Sequence, residues 1–146
     1  MNFGTLQRRW QAERPVVYDK LTRTVNLDIQ AEARAQSEVA TADGAEAQLE
    51  EPSMVEGYSC LPVQIDSLIE YSHIKSQLIE AAFPPKDEFA KVINAAEALA
   101  EAILAEDSFK SVQSKLKANA DVSAFLDFCA YRKMCADAAK EVMKAY

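Results

Sequence analysis

The stretch "PKDEFAKVINAAEALAEAILAED", residues 85–107, narrows the possible folds more than any other part of this chain. Phe89, Val92, Ile93, Ala96, Leu99, Ala100, Ile103 and Leu104 recur at i, i+3, i+4 and i+7, the spacing that gathers side chains on one face of an α-helix. The spacing predicts a helix over 87–106. Asp87 and Glu88 stand in its first turn, where the helix dipole favours anions, and Glu97 and Glu101 lie on the opposite face. A large apolar residue stabilises a fold by roughly 1.5–3 kcal/mol when fully buried. The expectation is therefore a central helix that buries Val92, Ile93, Ala96, Leu99 and Ile103.

Similar patterning flanks it. Ile65, Leu68, Ile69, Leu78, Ile79 and Ala82 share a face at helical spacing, with Asp66 or Ser67 available as a cap and Pro84-Pro85 as a stop. After Asp107-Ser108, a good helix start, Phe109, Val112 and Leu116 repeat the pattern until "KANAD". There Asn119 can turn left-handed and Asp121 can cap the next helix. In the last stretch Val122, Phe125, Leu126 and Cys129 point toward a bundle, whereas Phe128, Tyr131, Cys135, Ala138 and Val142 are shifted onto another face. Three-helix packing would leave Phe128 and Tyr131 partly exposed, so Phe125, Phe128, Tyr131 and Tyr146 are the candidate partner-binding residues. The alternative is a bundle that wraps more than one face of this helix.

The front of the chain has less to bury. Residues 1–25 carry a net charge of +3, residues 26–60 carry −7, and the whole chain carries −7. "RPVVYDKLTRTV" has a β-flavoured composition and reads as an extended arm. Residues 26–57 are rich in Ala, Glu and Gln with few large apolar residues after Ile29, the composition of an acidic linker. The expected fold class is all-α: an extended arm and acidic linker over 1–60, then a helical domain of three to four amphipathic helices over 61–146.

Chemistry finds little support. His73 is the only histidine and falls mid-helix, so neither a histidine metal cluster nor a supported Ser/His/Asp triad is expected. Cys60, Cys129 and Cys135 have no zinc-like spacing and read as reduced structural thiols of a cytosolic protein. Gly4, Gly44 and Gly57 form no phosphate-cradling loop. No catalytic residue, cofactor or metal is expected. An acidic chain is a poor match for nucleic acid and a better one for a basic protein surface. No apolar run reaches the ~18 residues of a membrane span.

Three stretches resemble a known family. "PSMVEGYSCLPVQIDSLIEYSHIKSQLIEAAF", with Asp66, Leu68, Ile69 and Tyr71, is similar to the "DIN-x-I-x-x-x-Y" region of internal scaffolding proteins of gokushovirus-type microviruses, the tailless icosahedral single-stranded DNA phages. "EFAKVINAAEALAEAI" resembles their "F-x-x-x-x-N-x-x-x-x-A" helix. "SVQSKLKANADVSAFLDF" resembles their "R-x-x-F-x-N-N-P-x-x-F-L-x-F" run, with Leu116 for the first Phe and Ala120-Asp121 where Asn-Pro is usual. The resemblance spans about residues 52–129. It implies a non-enzymatic protein that binds coat protein, can self-associate, and assists procapsid assembly in the host cytoplasm. The alternatives are an interaction subunit of another multiprotein assembly and a stand-alone helical regulatory protein.

Overall fold

Strand pairing begins near the N-terminus in the computed structural model, which describes residues 3–36, 53–105 and 108–146. The strands are β1 (Arg9–Gln11), β2 (Tyr18–Asp19), β3 (Thr24–Ala31), β4 (Arg34–Ala35), β5 (Met54–Val55) and β6 (Tyr58–Gln64). The helices are α1 (Tyr71–Ala82), α2 (Pro85–Ala105), α3 (Phe109–Lys117) and α4 (Ala120–Lys144). An antiparallel sheet of order β1-β6-β3-β2 stands at the centre, and β4 pairs with β5 beside it.

This overturns the all-α expectation: the chain is a mixed α and β fold. Residues expected as an extended arm supply β1, β2 and the start of β3, those expected as an acidic linker supply the rest of β3 together with β4 and β5, and the boundary expected at 60/61 falls inside β6. Residues 37–52 of the expected linker lie outside the described residues. The physical reason is register. Val25 faces Val63 and Leu27 faces Leu61, while Asn26 and Pro62 alternate onto the other face. Two short runs that each look half-polar thus build one apolar face only when paired.

Pro62 sits in a central strand without disrupting it. The amide of Asn26 donates to Val17 at 2.8 Å, so Asn26 points its hydrogen bonds toward β2. The position opposite, Pro62, would then direct its N–H away from β3, toward β1. Register places β1 against Tyr58 to Cys60 only, so no donor is missed there. Between Leu27 and Gln30 the ladder shifts. Asp28 occupies this bulge at φ 47° and its carboxylate is ion-paired to Arg8, tying the segment before β1 to β3.

One core joins the layers. Val25, Leu27, Leu61 and Val63 from the sheet meet Ile74, Leu78, Ile79 and Ala82 of α1 and Phe128, Tyr131, Cys135, Ala139 and Val142 of α4. Helix α4 also packs against α1, α2 and strands β2 and β3. The N-terminal segment closes the end of α1: the Thr5 amide donates to Ala82 at 3.2 Å and its hydroxyl to Ala81 at 2.8 Å. Two carbonyls left open at a helix end are satisfied in this way.

Candidate protein-docking face

Helix α2 starts as expected, with Pro85 at its first position and the amides of Asp87 and Glu88 donating to Pro84. Its orientation is not the expected one. Buried residues are Ala95, Ala98 and Ala102. The stripe expected inside faces solvent instead: Phe89 is 68% exposed, Val92 43%, Ile93 40%, Leu99 45% and Ile103 57%. At about 100° per residue, the alanine face and the aliphatic face stand roughly a third of a turn apart. Both faces are apolar, and only one can meet α4.

Geometry selects the alanines. The inward face of α4 is already filled by α1 and the sheet through Phe128, Tyr131, Cys135 and Val142. What remains for α2 is a close approach along the flank of α4, which small side chains permit. Glu88 locks that approach with a 2.7 Å ion pair to Arg132, and Lys91 lies 5.3 Å above the ring of Phe83. The aliphatic and aromatic side chains of the outward face are left substantially exposed. Past the end of α2, Phe109 of α3 is 82% exposed, and α3 buries no residue.

The aromatics expected to be partner-binding fall elsewhere. Phe128 and Tyr131 are fully buried, so their expected exposure is corrected. Phe83 meets both rings edge-on at 5.2 and 5.4 Å, and the Tyr131 hydroxyl donates to the carbonyl of Leu78. The contacts that bury them come from the end of α1, through Leu78 and Phe83, and from the N-terminal segment, whose Phe3 ring lies 6.3 Å from that of Tyr131. Phe125 is half-buried against the core. Leu126 and Cys129, expected inward, are exposed. Tyr146 is 58% exposed, with its hydroxyl 2.9 Å from that of Tyr18 and Lys20 4.2 Å above its ring.

The candidate chemical residues are engaged locally. Helix α1 begins at Tyr71, six residues after Ile65, and its N-cap Glu70 makes no side-chain cap bond. Asp66 accepts instead from His73 Nε2 at 2.7 Å, Gln77 Nε2 at 3.0 Å and the Leu68 amide at 3.0 Å. The His73 hydrogen bond, and after it that of Leu68, holds the Asp66 carboxyl below its usual range. Buried Cys60 donates to Asn26 Oδ1 at 3.6 Å. Burial pushes the Cys135 thiol up to about 11, far from thiolate reactivity.

Ser108 caps α3 by accepting from the Ser111 amide. Asn119, expected left-handed, has φ −83° and caps α4 by accepting from Asp121 and Val122. A shallow cleft of about 340 Å³ between the N-terminal segment and α2 holds Thr5, Asp87, Lys91, Asn94 and Asp121, with no thiol or imidazole. Among the described residues, no group of three His, Cys, Asp or Glu side chains could hold a metal, and no helix is long and apolar enough to cross a membrane.

No protein-family model matches this chain, and no curated protein or solved structure matches it either. The outward face of α2 therefore rests on geometry alone. Sequence reasoning found its residues and assigned them to the wrong side. The overlooked signal is the second line, Ala95, Ala98 and Ala102, at the same 3-4 spacing.

Proposed function

We propose that this protein works by binding protein rather than by chemistry, as an assembly factor whose docking element is the outward face of α2. One observation carries the reading: a 21-residue helix buries only Ala95, Ala98 and Ala102 and presents Phe89, Val92, Leu99 and Ile103 to solvent. Contiguous apolar surface beyond a few hundred Å² on a folded chain marks a contact site. The specific form of the proposal is an internal scaffolding protein of a microvirus-type capsid. The net charge of −7 suits a basic coat surface, and the resemblance over residues 52–129 points the same way.

The test is co-expression with the coat protein of a gokushovirus-type microvirus. The native chain is expected to co-purify with coat protein and to yield capsid-sized particles. The variant Phe89→Ser/Leu99→Ser/Ile103→Ser is expected to stay folded by circular dichroism and to give none. Particles that form equally well with this variant, or without any added chain, overturn the proposal.

A further inference from the structure

We infer that the outward face of α2 docks against the same face of a second copy, antiparallel, with the two-fold axis passing beside Ala96. This inference rests on the reading of that face as a protein-docking surface and names its occupant. Phe89, Val92, Ile93, Ala96, Leu99, Ala100 and Ile103 form the centre of the face, with Leu104 at its edge. The central residues stand symmetrically about Ala96, three, four and seven residues to either side. A two-fold axis at Ala96 therefore lays the set onto itself, the requirement for an isologous contact.

The sizes agree with antiparallel pairing. Phe89 comes to the level of Ile103 of the other copy and Ile93 to that of Leu99, so large residues meet large ones on both sides of the small Ala96 pair, and Val92 covers Ala100. Charge favours the same choice. The two helix dipoles oppose each other favourably only when the helices run antiparallel.

Area and spacing are sufficient. The exposed fractions of Phe89, Val92, Ile93, Leu99 and Ile103, at about 200 Å² for a fully exposed large side chain, give roughly 500 Å² per copy. Two copies bury about 1,000 Å², the level at which a specific interface begins. Alanine at the crossing point allows helix axes to approach to about 8 Å. At axis separations of about 8–10 Å and with Cα atoms about 2.3 Å from each axis, the two Ala96 Cα atoms stand about 3.4–5.4 Å apart, a span that reaches disulfide range.

The experiment uses the full chain in a Cys129→Ser background, since Cys129 is the exposed thiol and Cys60 and Cys135 are buried. Sedimentation equilibrium is expected to give twice the 16.2 kDa chain mass. Ala96→Glu places two carboxylates at the crossing point and is expected to weaken the dimer at least tenfold with its circular dichroism unchanged. Under oxidation, Ala96→Cys should link to itself. Phe89→Cys should link to Ile103→Cys in a mixture and not to itself. Self-linking of Phe89→Cys would mean a parallel pair and overturn the inference, as would a monomer at every concentration. For a monomer, coat association decides what else falls. If Ala96→Glu abolishes it, the face docks another protein and only the second-copy inference is lost. If Ala96→Glu leaves it intact, the docking reading is lost too.

Discussion

A side chain at Gly4 would overlap the carbonyl of Ala82, and the backbone there has φ 60°, a conformation costly for other residues. Gly4→Ala is expected to destabilise the protein by about 1–3 kcal/mol, measured by urea unfolding, and to expose the N-terminal segment to protease first. Tyr131→Phe removes a buried hydroxyl that donates to the carbonyl of Leu78, so a loss of about 0.5–1.5 kcal/mol is expected by the same measurement. Asp66 makes a pH-dependent contribution. Its folded pKa lies below the ordinary carboxylate value, so its stabilising effect is present above the unfolded pKa, near 3.9, and is lost as pH falls through the folded value. Asp66→Asn should lower the urea midpoint at pH 5 and above, and the difference should shrink below about pH 4. A difference that stays constant down to pH 2 would mean the carboxylate's charge is not what holds the 66–70 segment.

At the scale of elements, the helices are legible in the sequence, and α1 buries the expected Leu78, Ile79 and Ala82, but the rotations of α2 and α4 are not legible. Periodicity over 85–107 locates α2 to within two residues at its start, because large residues at 3-4 spacing have no other common explanation. It fails on direction because it equates hydrophobicity with burial, while an alanine line gives almost no signal in a chain this rich in alanine. The same error turns α4: periodicity puts Leu126 and Cys129 inside and Phe128 and Tyr131 outside, the reverse of what holds. The strands are illegible for a different reason. Val25 and Leu27 alternate with Asn26 and Asp28, and their partners lie some 35 residues onward in β6, a pairing no local window contains. The outward α2 face, the candidate site, is thus legible residue for residue and yet assigned to the core. The inverted packing can be tested directly. Ala102→Leu should cost about 1–3 kcal/mol by forcing α2 off α4, whereas Leu104→Ala, at a residue 88% exposed, should change stability by less than about 0.5 kcal/mol. Thermal melts of the two variants check it; a larger loss from Leu104→Ala would restore the aliphatic stripe to the interior.

Across the whole molecule, the sheet binds the first third of the chain to the last. Val25 and Leu27 of β3 share a core with Tyr131, Cys135 and Val142 of α4, and Tyr18 of β2 meets Tyr146. Residues 61–146 alone would lose that surface, at roughly 1.5–3 kcal/mol for each large side chain uncovered. This fragment is expected to show helical circular dichroism without a cooperative melt or slow amide exchange in α4. A fragment that melts as sharply as the full chain would mean that the helices form a core without the sheet. The lone tryptophan makes that coupling observable. Trp10 lies in β1, its indole N–H donates to Glu32 at 2.8 Å, and its ring fills the space beside Gly57 where no Cβ would fit. Its fluorescence therefore reports whether β1 is seated on the sheet and is blind to α2 and α3, which dominate the far-ultraviolet signal together with α1 and α4. Emission and ellipticity tracked in one titration would separate undocking of the N-terminal strand from melting of the helices, with no label and no substitution.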